Sequence, residues 1–350
     1  MSRRRVAIPV GGFRRIAVIR LSSLGDVVLT LPVVRALRAA WPDATIDYWV
    51  KEEYRDVVTA DPSINHVRVL ERDARRIEDL VSMSEELTPC DLIVDLHVNM
   101  RTRVLVFRHK APVLRAPSYR LLRERWVRAR WTRPSPTPGA ISRYAQALAP
   151  IGVEVTTVPV VVTSPEADVW AKDWLATMWA PAETGSGALV ALAPGARHAT
   201  KQWPEEHWIE LQRRLRAAGH RVVVLTTAAE RKSLPQLSNH MANDRGSAWV
   251  CESIGRAAAL LAHCQSAVTC DSGLMHLAAA RGLKVVALFG STSPELGFAP
   301  AGEGHTVMCR HEPCQPCTLH GLERCPKGHF RCMRLLLPEQ VESAVRAQLA

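Results

Sequence analysis

The chain has 350 residues, and 45 Lys and Arg against 34 Asp and Glu leave a net charge of +11 at pH 7. This length suits two domains, and 47% hydrophobic residues are enough for two cores, built mainly of Val, Leu, Ala and Ile because only 5% are aromatic. No apolar run reaches the ~20 residues that cross a bilayer, and the Arg-rich start lacks the apolar stretch of a signal peptide, so a cytoplasmic protein is expected. The positive excess fits nucleic acid, an anionic membrane face, a phosphorylated substrate, or simply a solvated basic surface.

Residues 15–21 form a short apolar run rich in β-branched side chains and predict a first strand. It ends at Ser22-Ser23-Leu24-Gly25-Asp26, where a helical pattern opens through Val27, Leu31, Val34 and Leu37 and stops at Pro42-Asp43. Small residues at such a strand-to-helix turn let a ligand approach the backbone, and the helix N-terminus offers free N–H groups to an anion. Asp26 reads either as a general base or as a cap for its own helix. Further strands are expected at 45–50, 67–70 and 91–96. Such alternation implies a parallel sheet with helices on both faces.

The segment 101–133 breaks this rhythm with Arg101, Arg103, Arg108, Lys110, Arg115, Arg120, Arg123, Arg125, Arg128, Arg130 and Arg133, interleaved with Trp126 and Trp131. It predicts a partly helical, amphipathic stretch that either grips phosphates, which Arg does bidentately, or is a solvated basic face. Residues 158–182 look like the crossing between domains.

Alternation resumes with a strand at 188–192, ending in Ala193-Pro194-Gly195-Ala196. The loop Thr200-Lys201-Gln202-Trp203-Pro204 follows, then a helix to about Ala218 closed by Gly219. A cation, a hydroxyl and backbone N–H groups on one loop suit a metal-free phosphate site, although Lys201 also reads as an ordinary exposed lysine. Further elements are expected as a strand at 222–226, a helix at 255–263, a strand at 266–270, a helix at 272–281, and a last clear strand at 284–289, with a helical tail after Pro338. Cys270-Asp271-Ser272-Gly273-Leu274-Met275-His276 repeats the strand-to-helix pattern. Ser272 and Gly273 could hold a diphosphate, Asp271 fits a sugar hydroxyl or a loop anchor, and His276 faces either ligand or core.

Five of the nine cysteines fall between Cys309 and Cys332. Cys314, Cys317, Cys325 and Cys332 are spaced C-x2-C-x7-C-x6-C, suiting a structural zinc or iron; Cys309, His311, His320 and His329 are substitute ligands. Reduced thiols and redox or disulfide use are the other readings.

In chain order, Ile-Arg-Leu-Ser-Ser-Leu-Gly-Asp-Val-Val-Leu-Thr-Leu-Pro, Asp-Leu-His-Val-Asn-Met-Arg-Thr, Ala-Pro-Gly-Ala with Thr-Lys-Gln-Trp-Pro, and Asp-Ser-Gly-Leu-Met-His-Leu-Ala-Ala-Ala resemble glycosyltransferase family 9, the ADP-heptose:lipopolysaccharide heptosyltransferases, from residue 15 to about 336. The resemblance implies an α/β GT-B fold of two facing, Rossmann-like, doubly wound domains. The expected division is an acceptor side at 1–165, a nucleotide-sugar domain at 166–336 containing the Cys-rich segment 309–332, and a C-terminal helix at 337–350. The implied reaction is inverting transfer of heptose from ADP-L-glycero-D-manno-heptose to the lipopolysaccharide inner core, with no cofactor required for catalysis. Asp26 then resembles the catalytic base, and Lys201 assists the leaving group. Ser22, Ser23, Gly25, Thr200, Lys201, Asp271, Ser272, Gly273 and His276 bind donor, and His97, Asn99 and Arg101 line the acceptor side. Relatives in the wider group bind iron through four cysteines, which adds iron to the candidates. The implied partners are ADP-heptose, a phosphorylated lipopolysaccharide core and, peripherally, the anionic inner membrane, with no nucleic acid. Two competing readings are a transferase with another nucleotide sugar or a protein acceptor, and a nucleic-acid-binding module using the basic segment and the cysteines. The second lacks a recognition helix beside the cysteines.

Overall fold

The computed structural model describes residues 6–70, 80–81, 84–87, 89–107, 109–129, 137–179 and 187–350. Arg108, Arg130, Trp131 and Arg133 of the basic segment lie outside the described residues. The chain forms two compact units, Met1–Ser118 with Pro138–Val162, and Tyr119–Thr137 with Thr163–Ala350.

The first unit is built on β1 (Arg15–Ile19), α1 (Leu24–Ala40), β2 (Thr45–Lys51), β3 (His66–Leu70), β4 (Leu92–Asp95), α2 (Met100–Leu105) and β5 (Val113–Arg115). Its five strands are all parallel, in the order β3-β2-β1-β4-β5. β1 and β4 are nearly continuous apolar runs because helices cover both faces of a parallel sheet. Ile19, Leu21, Trp49 and Ile93 anchor one core beneath them. Asp91, expected inside a strand, precedes β4, and its carboxylate accepts from the backbone N–H groups of Arg14 and Arg15.

The basic segment is partly helical, as expected. It divides into α2, β5 and α3 (Arg120–Ala129). α3 belongs to the second unit, where Trp126 and Val127 pack with Leu296 and Leu319. Arg123 is buried, donates to the Leu296 carbonyl at 2.9 Å and stacks on the Phe298 ring at 4.8 Å. It is therefore a packing residue and not a solvent-facing phosphate grip. The chain then returns to the first unit as α4 (Ala140–Ala145).

The second unit begins with α5 (Pro165–Met178), inside the stretch read as a crossing, and continues through β6 (Leu189–Ala193), α6 (Glu205–Ala217), β7 (Arg221–Leu225), α7 (Ala228–Lys232), α8 (Pro235–Met241), β8 (Ser247–Val250), α9 (Ile254–Leu261), β9 (Ser266–Cys270), α10 (Gly273–Ala280) and β10 (Lys284–Phe289). β10 is not the last strand: β11 (Thr306–Cys309) pairs parallel to it. Then come α11 (Arg331–Arg334) and α12 (Pro338–Leu349). The order is β11-β10-β9-β6-β7-β8, again all parallel. Trp203, Trp208, Val224, Val268, Leu288 and Val341 meet in its core.

In each sheet the strand order reverses beside the first strand, between β1 and β4 and between β6 and β9. The carboxyl ends of strands flanking such a reversal open a crevice, the usual ligand position in doubly wound folds. The loops leaving β1, β4, β6 and β9 carry the residues singled out above.

Candidate active site

In the first unit, the chain leaving β1 is pinned to its neighbour: Arg20 N–H donates to the Trp49 carbonyl, and Lys51 N–H to that of Leu21. Ser23 N-caps α1. Three positions on, Asp26 receives the Ser23 hydroxyl at 2.9 Å and the Ser23 N–H at 3.4 Å. The capping role is real but incomplete. Arg20 Nη2 lies 2.6 Å from Asp26 Oδ2, and the Tyr144 hydroxyl of α4 donates to Asp26 Oδ1 at 2.6 Å. Arg20 also stacks on the Tyr144 ring and donates to the Leu96 carbonyl. The Asp26 side chain keeps 28% of its surface exposed.

Burial alone would raise the Asp26 carboxyl pKa. The Arg20 charge and the hydrogen bonds from Tyr144 and Ser23 outweigh it and hold the carboxyl well below the ordinary range. Burial pushes the Tyr144 hydroxyl well up, reinforced by the Asp26 charge, so it stays a donor. Neither Arg20 nor Tyr144 was singled out from the sequence. Arg20 adjoins the motif, but Tyr144 lies 118 residues away.

The loop after β4 is organised by buried Asp95, which accepts from the backbone of His97 and Val98 and from the Thr102 hydroxyl. Asn99 caps α2 by accepting from Thr102 N–H at 2.9 Å, so its carbonyl oxygen is already engaged. Arg101 is half-buried, and among the described residues its side chain makes no hydrogen bond or ion pair. His97 is held neutral: burial, then the Arg20 charge, pull its pKa down to about 4. Its Nδ1 has no hydrogen-bond partner among the described residues.

In the second unit, the loop after β6 turns through Pro194 and Gly195 into a 3-10 turn, Ala199–Lys201. Lys201 Nζ lies 2.7 Å from Asp271 Oδ2, and the Thr292 hydroxyl donates to the same oxygen at 2.6 Å. Asp271 is thus the loop anchor and counter-charge for Lys201. Ser272 is the N-cap of α10 and Gly273 its first residue; the Ser272 hydroxyl oxygen is buried without a partner among the described residues. His276 is buried one turn on.

Thr200 turns away from this cation. Its hydroxyl meets Ser291 Oγ at 2.8 Å, donates to the Leu322 carbonyl at 2.9 Å and accepts from Leu322 N–H at 2.8 Å. Its backbone N–H donates to Leu322 and its carbonyl accepts from Ser291. The Cys-rich segment therefore braces the Lys201 loop. Gln315 Nε2 donates to the carbonyls of Gly290 and Thr292, and Cys317 N–H to that of Ser291.

The four cysteines proposed as ligands lie near one another, since Cys314, Cys325 and Cys332 all act on the Cys317 thiol, but they are not gathered as a metal centre would need. Among the described residues, no group of three or more His, Cys, Asp or Glu side chains is placed to hold an ion. Cys332 is buried in the core of this unit, the Cys317 thiol donates to the Cys314 carbonyl at 2.9 Å, and Cys314 Sγ sits 3.6 Å from His329 Nε2. Burial, reinforced by the neighbouring cysteines, pushes the Cys317 and Cys332 thiols up to about 12. A zinc or iron site is not supported by this arrangement.

Residues 90–324 match the family described as glycosyltransferase family 9 (heptosyltransferase). Lipopolysaccharide heptosyltransferase 1 of Pseudomonas aeruginosa is 27% identical over 362 residues, covering 96% of this chain and 98% of that protein. Lipopolysaccharide heptosyltransferase 2 of Salmonella typhimurium is 36% identical over 118 residues, and the match spans only 33% of that relative's length. Among solved structures, a family 9 glycosyl transferase from Veillonella parvula superposes with a TM-score of 0.79 at 24% identity, covering 96% of this chain and 97% of that one. The E. coli ADP-heptose lps heptosyltransferase II superposes with 0.72 at 21% identity, covering 96% and 98%. With two doubly wound parallel sheets and a family match over most of its length, the chain belongs to glycosyltransferase family 9 and has the GT-B fold.

Proposed function

We propose that this chain is an inverting heptosyltransferase that moves heptose from ADP-L-glycero-D-manno-heptose to the inner core of lipopolysaccharide. The observation that carries the reading is the Asp26 carboxylate, held ionised at the carboxyl end of β1 while still partly exposed. The likeness to lipopolysaccharide heptosyltransferase 1 of Pseudomonas aeruginosa and to the E. coli ADP-heptose lps heptosyltransferase II supports the choice of substrates.

In this reading, the first unit serves the acceptor through His97, Asn99 and Arg101, and the second unit, which includes 119–137 and not only the residues after 165, holds the donor. The acceptor oxygen attacks the anomeric carbon from the face opposite ADP, and the C–O bond to the β-phosphate breaks. Asp26 takes the hydroxyl proton. A carboxylate held this acidic is a weak base toward a neutral alcohol, so its proton transfer is late. Bond formation puts positive charge on the acceptor oxygen and makes its proton strongly acidic. Lys201 and the N–H groups at Ser272 and Gly273 stabilise the charge developing on the departing diphosphate, with His276 supporting that turn. Small residues at Ser22, Ser23 and Gly25 leave room for the sugar. Thr200 contributes by fixing the loop that carries Lys201.

No helix of the described residues is long and apolar enough to cross a membrane. Met100 and Phe107 are 73% and 83% exposed beside Arg101 and Arg103, which supports an enzyme working against an anionic membrane face, in this reading the cytoplasmic one. The test is transfer from ADP-heptose to purified heptose-less core acceptor, compared with other nucleotide sugars. Turnover with ADP-heptose alone is expected, and preference for a different nucleotide or for a protein acceptor would replace this reading.

A further inference from the structure

We infer that Arg20 and Tyr144 are positioning residues that lock the Asp26 carboxylate so that a single oxygen, Oδ1, receives the acceptor's proton. This rests on the reading of Asp26 as the base.

The two carboxylate oxygens differ in what surrounds them. Oδ2 receives Arg20 Nη2, the Ser23 hydroxyl and the Ser23 N–H. Among the described residues, Oδ1 receives the Tyr144 hydroxyl alone. A carboxylate oxygen has two in-plane lone pairs. Oδ2 is therefore saturated, and Oδ1 keeps one lone pair for an incoming hydroxyl.

The lock is itself held from several directions. Arg20 is fixed by the Leu96 carbonyl at 2.7 Å and by the Tyr144 ring beneath its guanidinium. Tyr144 is buried on α4, which brings it to α1 from far along the chain. The charged and titratable groups facing this cluster are Tyr48 of β2, hydrogen-bonded to Thr30 of α1, and His97 after β4, with Lys51 behind His97 and Arg143 behind Tyr144. His97 is neutral, so Arg20 is the cation in contact with Asp26. Without it, only the Tyr144 and Ser23 hydrogen bonds would remain to oppose burial, and the carboxyl would move upward.

Two roles follow. Tyr144 fixes the direction of the Oδ1 lone pair, and its stiff hydroxyl keeps its own proton throughout. Arg20 keeps Asp26 ionised over the working pH range, so the free enzyme's activity has no Asp26 limb near neutrality.

The experiment uses the full chain with ADP-heptose and heptose-less core acceptor. Tyr144→Phe is expected to lower kcat by about 10- to 100-fold, the scale of a misdirected catalytic group, with KM for ADP-heptose unchanged. Arg20→Met is expected to give kcat/KM a new acid limb between about pH 5 and 7, absent from the wild type, and Arg20→Lys to restore the flat profile. Asp26→Asn is run alongside and is expected to be inactive. If Asp26→Asn is inactive but Tyr144→Phe turns over at the wild-type rate and Arg20→Met shows no acid limb, the lock is wrong and the base stands. If Asp26→Asn stays active, the base reading fails first. Should Tyr144→Phe not fold, as read from its urea midpoint, the Arg20 pair decides alone.

Discussion

Lys201 Nζ and Asp271 Oδ2 lie 2.7 Å apart, with 14% and 5% of their side chains exposed. The cation assigned to the leaving diphosphate is thus already paired before any donor arrives. A buried pair broken from one side leaves an uncompensated charge costing ~3–5 kcal/mol. Lys201→Met is expected to destabilise the protein by about that amount in urea unfolding and to weaken ADP binding by at least about tenfold. Asp271→Asn frees the cation and is expected to bind ADP at least as tightly as the wild type by calorimetry. Weaker ADP binding in Asp271→Asn would mean that Asp271 itself serves the nucleotide.

Thr200 gives a second contrast. Its hydroxyl joins Leu322 and Ser291 and so ties the Cys-rich segment to the Lys201 loop. Thr200→Val keeps the shape but leaves the Leu322 N–H and carbonyl without that partner, at ~1–3 kcal/mol. Thr200→Ser is expected to stay close to the wild type in both urea midpoint and KM for ADP-heptose, with Thr200→Val losing stability and raising KM. Loss in Thr200→Ser with Thr200→Val close to the wild type would point to the methyl group and not to the hydrogen bonds.

His97 sets the acid side of the stability curve. Its folded pKa of about 4 lies below the ordinary 6.5, so between those values the unfolded chain binds the extra proton. Stability from this group is complete above about pH 6.5 and falls as pH drops to 4, by ~1–3 kcal/mol. The Asp26 shift has the same sign but acts lower, below the usual Asp range. Urea unfolding at pH 7, 6 and 5 is expected to show this fall, and His97→Gln to flatten it. An unchanged slope in His97→Gln would assign the loss elsewhere.

Arg123 illustrates how burial changes the meaning of a charge. It donates to the Leu296 carbonyl and covers Phe298 inside the second unit. Arg123→Met keeps much of the stem packing but loses the bond and the ring contact, and is expected to cost ~1–3 kcal/mol in urea unfolding. Little effect on stability, together with loss of acceptor affinity, would return Arg123 to the role of a phosphate grip.

Much of the fold was legible because parallel strands buried on both faces read as short apolar runs, as at Ile16–Ile19 and Leu189–Ala193. The loops bearing Asp26, Lys201 and Asp271 were legible because each follows such a run and opens a helix or turn. β11 was missed because Thr306-Val307-Met308-Cys309 is an edge strand with no buried residue to mark it. The Tyr144 contact to Asp26 is carried only by packing of α4 on α1, and no local pattern announces a partner 118 residues away. The cysteine spacing suggested a metal centre, but spacing does not fix how the thiols are placed, and among the described residues no group of three or more ligating side chains is gathered to hold an ion.

The central claim is that the Asp26 carboxylate takes the acceptor's proton. The most direct measurement is single-turnover transfer from ADP-heptose by Asp26→Asn, with ADP affinity determined on the same preparation. The substitution keeps size and burial but removes the basic oxygen. The account predicts a fall in the transfer rate of at least about 10²-fold with ADP affinity unchanged. Transfer within a few-fold of the wild type would contradict it.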